Sequence, residues 1–217
     1  MALGVLAKGS IVLGGIGSSV GGYFLINNLT SRSEGNIRST KSIRDKLVQE
    51  GYTLLNFENT TGNEWEKIKA EYKKENVDAK RFAGVNKDDD ATVLAGIKNS
   101  CLQYLQEETE NEDNYKLSRR WCVVPISVQN KLKGKTFLKT DAGDSNDNSD
   151  WDKLVTKHDS HSDKWISFET GKSTEEKRTK IKEQCAAQSK LETTNAGFED
   201  ALKNVDLWCT KESVPKE

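Results

Sequence analysis

Residues 97–101 read IKNSC and are followed by WC at 121–122, while residues 181–185 read IKEQC and are followed by WC at 208–209. In both places an isoleucine and a cysteine stand four positions apart, so on a helix they share one face. The second set follows the first by about 85 residues. The pattern predicts one cysteine-bearing helical element that occurs twice in the chain.

Three further pairs of segments keep the same order and nearly the same spacing. SIRDKL at 42–47 matches SVQNKL at 127–132, EWEKI at 64–68 matches DWDKL at 150–154, and ET at 108–109 matches ET at 192–193. Five matches in one order are typical of an internal duplication. We therefore predict two tandem copies of an about 85-residue unit, at 42–125 and 126–217.

Local signals predict a short helix and then an extended piece at the start of each unit. Ser42 and Ser127 can cap short helices that end before Gly51 and Gly134. Short apolar pieces follow at 52–55 and 136–138. We predict a mainly α fold, or an α+β fold with short extended segments if these pieces pair as strands.

The later helices carry apolar stripes at helical spacing. Second helices are predicted to start at Asn63 and Ser149, with Glu66 and Asp152 at the spacing of a capping box, and a full box is predicted for Ser173 with Glu176. The stripes are Trp65, Ile68 and Tyr72; Trp151, Leu154, Val155 and His158; Leu94, Ile97, Cys101 and Leu105; Ile181 and Cys185; and Phe198, Leu202, Val205 and Cys209. The last element of the first unit, around 115–121, fits either a helix or an extended segment.

The four cysteines allow three pairings. The simplest joins Cys101 to Cys122 and Cys185 to Cys209, which ties the third helix of each unit to its last element. Closing loops of this size stabilises a fold by about 3 kcal/mol in the chain-entropy model. The alternatives are free thiols on an apolar helix face and, less well supported by the spacing, a zinc site. Disulfides would place the domain in an oxidising compartment.

The N-terminal segment, 1–28, is predicted to anchor the chain in a membrane, with a linker at 29–41. Residues 9–26 carry no charged side chain, and as a helix they would span about 27 Å, nearly one hydrocarbon core. Gly14, Ser18 and Gly22 are spaced four apart, a pattern that lets membrane helices pack closely and predicts a homo-oligomer. A cleaved signal peptide and a soluble or buried helix are the alternatives.

Two signals disagree on which side of the membrane the main domain lies. Basic residues after the apolar segment favour the cytoplasm, because positive flanks stay inside. The paired cysteines favour the outside. We expect a single-pass protein of the plasma membrane with an extracellular domain.

Composition and motifs argue against several classes of function. Lys and Arg total 33 against 34 Asp and Glu, so no excess positive charge is present for nucleic acid. His158 and His161, the only histidines, are expected to form a surface pair, and Arg119 with Arg120 a rim contact or a solvated pair. The calcium-like run from Asp144 lacks the glycine and glutamate that chelation requires. We expect no cofactor, metal or catalytic residue.

The combination of a Gly-rich N-terminal apolar segment with a duplicated domain carrying I-K-x-x-C, D/E-W-x-K-I/L and a terminal Trp-Cys resembles the paralogous sets of uncharacterised proteins of haemotropic mycoplasmas. The resemblance implies a cell without a wall, display at the plasma membrane and a part in antigenic variation. It supplies no activity and no functional residues.

The leading hypothesis is therefore an anchored, non-enzymatic surface protein that acts as an antigen or binds an unknown protein partner. The alternatives are a cytoplasmic-facing membrane scaffold with reduced cysteines, and a hydrolase. A hydrolase would need a concave pocket whose polar groups come from positions that differ between the two units.

Overall fold

A computed structural model describes residues 42–58, 63–162 and 164–216. The predicted anchor, 1–28, and the linker, 29–41, lie outside the described residues. In the part of the chain that the structure describes, no helix combines the length and the apolar composition needed to span a bilayer.

The described chain is mainly helical. Its helices are α1 (Ile43–Gln49), α2 (Asn63–Lys74), α3 (Val93–Tyr104), α4 (Glu112–Trp121), α5 (Val128–Lys131), α6 (Asn148–Ser160), α7 (Thr174–Gln188) and α8 (Phe198–Trp208), with 3₁₀ turns at Asp78–Lys80 and Lys211–Ser213. The expectation of a mainly α fold is confirmed. The extended pieces form only isolated bridges, and the described residues contain no sheet.

Two apolar cores lie along the chain, one in residues 42–125, called the first half here, and one in residues 126–216, the second half. In the first half α1 packs on α4, α2 on α3 and α3 on α4; in the second half α5 packs on α8, α6 on α7 and α7 on α8. The predicted stripes supply most of both cores, because their side chains recur at the helical repeat. Val93 and Ala201 are more deeply buried than the predicted Leu94 and Leu202.

The isolated bridges fall at comparable places in the two halves. Ser42 pairs with Glu108 and Leu54 with Val123, while Ser127 pairs with Glu192 and Phe137 with Thr210. The first bridge of each half fastens the segment before its first helix to the turn before its last helix. The second fastens the extended piece to the residues after the last helix, so each half closes on itself.

Helix starts follow the predicted caps at Ser42, Ser127 and Ser173, and α2 begins at the predicted Asn63. The side chains of Ser42, Ser127 and Ser173 each accept a hydrogen bond from the backbone three residues on, and Ser173 forms the full capping box with Glu176. The box predicted at Ser149 is wrong. Ser149 lies inside α6, which begins at Asn148.

Asp152, predicted to close that box, pairs instead with Arg178 of α7 at 2.7 Å. The charged partner on the neighbouring helix satisfies the carboxylate, so it does not turn back toward its own N-terminus. The last element of the first half, left open between helix and extended, is helix α4, whose Asn111 cap accepts from the amide of Asn114.

Candidate functional site

The disulfides join Cys101 to Cys122 with sulfur atoms 2.07 Å apart and Cys185 to Cys209 with sulfur atoms 1.99 Å apart. This is the simplest of the three pairings that four cysteines allow, and each bridge ties the third helix of a half to the end of its last helix. All four side chains are at most 1 % exposed. The sulfur atoms are therefore shielded by the cores they cross-link, which suits a structural role.

The prediction of a surface histidine pair is wrong for His158. This side chain is fully buried on the apolar face of α6, with its ring 5.2 Å from that of Trp208 and 4.9 Å from that of Phe168. Its Nε2 accepts a hydrogen bond from the amide of Ile166 at 3.2 Å. Burial lowers the pKa of the imidazole. His161 lies nearer the surface, with its ring 5.3 Å from that of Trp208.

The acidic loop that resembles a calcium site is used for internal contacts. Asp147 accepts the amide of Lys139 at 2.7 Å and pairs with Lys211 at 2.6 Å, and Lys211 also reaches Asp150 at 2.8 Å. In residues 42–58, 63–162 and 164–216, no three histidine, cysteine or acidic side chains converge in a way that could hold a metal.

A concave cleft of about 190 Å³ lies between the two halves. Its walls come from α4 on one side and from the turn before α8 and the start of α8 on the other. The polar lining includes Lys80, Lys116, Arg119, Arg120, Asn195 and Glu199, and the apolar floor includes Leu117 and Phe198. The cleft is therefore small and carries many charged groups beside its apolar floor.

Arg120, in the wall of the cleft, makes three contacts that hold its side chain in place. Its Nε donates to the carbonyl of Thr194 at 2.8 Å, its Nη2 lies 2.6 Å from Glu75, and its guanidinium stacks 4.3 Å from the ring centroid of Trp121. Only 14 % of its side chain is exposed. Burial opposes ionisation of Glu75, but hydrogen bonds from the Val77 amide and from Arg120 outweigh it and hold the pKa of Glu75 below its ordinary value.

Arg119 makes the second contact between the halves. Its Nε lies 2.8 Å from a carboxylate oxygen of Glu199, and its guanidinium lies over the ring of Tyr115. Burial raises the pKa of Glu199; the positive charge of Arg119 works against that rise and the nearby charge of Glu50 adds to it. Of the two alternatives for Arg119 and Arg120, a rim contact or a solvated pair, the solvated pair is wrong, because their side chains are only 15 % and 14 % exposed.

Lys131 of the second half completes the junction below the cleft. Its ammonium donates to the carbonyl of Glu50 and lies 3.7 Å from the ring centroid of Tyr52. Tyr115 donates its hydroxyl to the carboxylate of Glu50. Burial lowers the pKa of Lys131 and raises that of Tyr52 to about 12. Lys131 is therefore less basic than a free lysine, and the hydroxyl of Tyr52 stays protonated at physiological pH.

The two arginines of this junction occupy positions where the two halves differ. Aligning Trp121 with Trp208 places Asp206 and Leu207 where the first half has Arg119 and Arg120. Glu50, Glu75 and Lys131 could not be identified from the sequence, because no local spacing links residues so far apart in the chain. Lys131 matches Lys46 of the first half, so a difference between the matched segments does not single it out either.

No known protein family, curated protein or solved structure matches this chain. Neither His158 nor His161 lines the cleft, and its arginines are ion-paired with Glu75 and Glu199. The Arg119–Glu199 pair joins the two halves, whereas the Arg120–Glu75 pair lies within the first half. Lys80 and Lys116 also line the cleft and are exposed.

Proposed function

We propose that the protein is a membrane-anchored, non-enzymatic surface protein that acts by binding and whose outer domain is a tandem duplication of one disulfide-bonded helical unit. The observation that carries the proposal is the pair of buried disulfides at equivalent places in the two halves. Structural disulfides form and persist in oxidising compartments, which for an anchored protein means the outer side of the membrane.

The proposed duplication draws support from contacts that occur in both halves. The amide of Leu55 donates to the carbonyl of Cys122 at 3.0 Å, and the amide of Leu138 donates to that of Cys209 at the same distance. The indoles of the second helices behave alike as well, since Trp65 donates to Asn56 and Trp151 to Lys139. A descent from one ancestral unit accounts for such paired hydrogen bonds.

The proposed anchor is the N-terminal apolar segment, which lies outside the described residues. It precedes the linker and then Ser42, where the first described helix is capped. In this proposal the duplicated domain stands on the outer face of the membrane on a short tether. The resemblance to paralogous surface proteins of haemotropic mycoplasmas fits the same arrangement, and with it a role in antigenic variation.

Binding is favoured over catalysis because of the chemistry of the cleft. General acid–base catalysis needs a titratable group free to exchange a proton with the substrate. Two carboxylates line the cleft: Glu199 is paired with Arg119, and Asp113 is exposed to solvent, while the histidines lie elsewhere. The hydrolase alternative requires turnover of some ester or amide that the variant Glu199→Gln abolishes, and we expect no such turnover.

The orientation can be tested with epitope tags on intact cells that produce the full chain. We expect an antibody to reach a C-terminal tag without permeabilisation, and to reach an N-terminal tag only after it. Mass mapping without reduction should show Cys101–Cys122 and Cys185–Cys209 with no free thiol. If the C-terminal tag is reached only after permeabilisation and the thiols are free, the cytoplasmic scaffold is the correct model.

A cleaved signal peptide gives a different outcome in the same experiment. The C-terminal tag would then appear in the medium rather than on the cells, and the recovered chain would lack its first residues. Retention on cells washed with high salt distinguishes an anchored chain from one that only adheres to the surface.

A further inference from the structure

The two halves meet through different faces, not through a shared one. The first half uses a front face made by Glu50, Lys67, Lys116, Arg119 and Arg120. The second half uses a back face made by Lys131 and the turn at 191–199. The contacts across it are Lys67 to Glu192 at 2.6 Å, Arg120 to Thr194 at 2.8 Å and Arg119 to Glu199 at 2.8 Å.

Because the two halves meet through unlike faces, the first half keeps an unused back face and the second half keeps an unused front face. The unused back face lies in the first half, at the turn 107–113, which corresponds to 191–197 in the second half. The unused front face lies in the second half on α8, where Lys203, Asp206 and Leu207 correspond to Lys116, Arg119 and Arg120.

Burial distinguishes the used faces from the unused ones. In the turn of the second half Thr193 is 3 % and Thr194 5 % exposed, whereas in the first half Thr109 is half-buried and Glu110 is exposed. The Arg119 side chain is 15 % exposed, while that of Asp206, its counterpart, is 44 % exposed.

The two unused faces carry charges of opposite sign. The surface on α8 is a concavity of about 480 Å³ lined by three lysines and two acidic residues: Lys135, Lys157, Lys203, Asp206 and Glu212. Lys135 is paired with Asp206 at 3.0 Å and Lys157 donates to the carbonyls of Leu207 and Ser213, so Lys203 is the lysine of this concavity for which the structure records no partner among the described residues. The turn of the first half is strongly acidic and contains no basic residue: its charged members are Glu107, Glu108, Glu110, Glu112 and Asp113. Leu207, half-buried at the place of Arg120, adds an apolar contact.

We propose that the acidic turn 107–113 of one copy of this chain docks in the α8 concavity of a second copy, so that copies associate head to tail. This proposal rests on the duplication in the proposed function. It uses between chains the same two faces that join the halves within one chain, with Lys203, Asp206 and Leu207 in place of Lys116, Arg119 and Arg120. Because the two faces are unlike, each added copy presents a new free face, and the association builds rows rather than closed dimers.

Charge reversal on each side supplies the test. The full chain in mild detergent is studied by sedimentation velocity over a range of concentrations, at low and at high salt. Wild type is expected to sediment as larger species with rising concentration at low salt and to dissociate at high salt, because salt screens the exposed charges. The variant Lys135→Glu with Lys203→Glu and the variant Glu110→Lys with Glu112→Lys are each expected to lose this association.

A mixture of the two charge-reversed variants is the decisive sample. The reversed concavity of one matches the reversed turn of the other, so the mixture should associate again. The double variant Glu64→Lys with Glu66→Lys makes the same change in net charge as the turn variant, at exposed positions of α2, and should behave as wild type. Circular dichroism checks that every variant keeps its helices.

The proposal is overturned if wild type shows no salt-sensitive association, if the reversed variants associate as well as wild type, or if their mixture fails to associate. Association through the N-terminal anchor would persist in both charge-reversed variants, and this persistence distinguishes it from docking of the turn. The membrane orientation measured with tags does not depend on whether copies associate. A negative sedimentation result would therefore contradict this proposal without contradicting the proposed function.

Discussion

His158 in the second half stands where Tyr72 stands in the first. Each follows the buried tryptophan of its helix by two turns and lies edge-on to the tryptophan that ends the last helix of its half. The ring centroids of Tyr72 and Trp121 are 4.9 Å apart, and those of His158 and Trp208 are 5.2 Å apart. A neutral phenol thus has a titratable imidazole as its counterpart.

Both side chains also hydrogen-bond to the backbone at the corresponding place in their halves, but Tyr72 makes two such bonds and His158 makes one. Tyr72 accepts from the amide of Phe82 at 2.9 Å and donates to its carbonyl at 3.4 Å. His158 accepts from the amide of Ile166 at 3.2 Å, and its Nδ1 has no hydrogen-bond partner among the described residues. Protonation of Nε2 would remove the acceptor that Ile166 needs.

We predict that His158 makes the free energy of unfolding fall in mild acid. Burial lowers the pKa of His158 in the folded chain, with Asp159 opposing and Lys164, His161 and Lys177 adding to the shift. Between the folded pKa and the unfolded value of about 6.5, the unfolded chain binds more protons. Stability present above pH about 6.5 is therefore lost as the pH falls below it, by at most about 1.4 kcal/mol per pH unit from this group.

Urea unfolding of the full chain at several pH values between neutral and mildly acidic measures this slope. The variant His158→Tyr, which installs the residue of the first half, should flatten it. The variant His161→Gln should leave it nearly unchanged. An equal slope in wild type and in His158→Tyr would show that other groups cause the acid sensitivity.

The disulfides are predicted to contribute comparable amounts to stability. Replacing Cys101 and Cys122 together by alanine, or Cys185 and Cys209 together, should lower the free energy of unfolding by about 3 kcal/mol in each case, because the closed loops are of similar length. Alanine is chosen because a serine hydroxyl would be buried without a partner in either core. Chemical unfolding under non-reducing conditions gives the values, and a loss confined to one pair would contradict the equivalence of the halves.

Arg120 is predicted to be the most important polar side chain at the junction. Its replacement by alanine removes the hydrogen bond to the Thr194 carbonyl of the second half and leaves Glu75, in its own half, without its ion-pair partner, which together should cost about 3 kcal/mol. Lys67→Ala breaks an ion pair that crosses the junction, with Glu192, but that lysine is 47 % exposed, so its loss should cost less than about 1 kcal/mol. Urea unfolding curves of both variants, and of Arg120→Ala combined with Glu75→Gln, separate the Arg120–Glu75 ion pair from the packing of Arg120 on Trp121. Equal costs for Arg120→Ala and Lys67→Ala would contradict the larger role given to Arg120.

The two glycines expected to end the first helix of each half are predicted to respond differently to alanine. Gly51 has a φ of +81°, a conformation that strains any residue with a Cβ, whereas Gly134 has no positive φ and open space around it. Gly51→Ala should therefore destabilise by about 1 kcal/mol, and Gly134→Ala should be neutral or slightly stabilising. Thermal or urea unfolding decides, and similar effects at both sites would rule out the conformational explanation.

Local sequence patterns predicted much of the fold. The serine caps at 42, 127 and 173 and the tryptophan-centred stripes of α2 and α6 followed from spacing, and the disulfides are the simplest of the three pairings that four cysteines allow. Such features depend on residues within a few helical turns of each other or on comparison of the matched segments. The chain by itself therefore determined most of the helices and their buried faces, while it left α4 open between helix and extended and the cysteines open between disulfides and free thiols.

Only the tertiary structure decided which long-range contacts form. Arg120 meets Thr194 and Glu75, and Lys131 meets Glu50 and Tyr52, although these partners are far apart in the sequence. Burial of His158 likewise depends on Phe168 and Trp208 closing over it. A charged or titratable side chain takes its environment from whatever packs against it, and that packing is set by the whole fold rather than by neighbours in the chain.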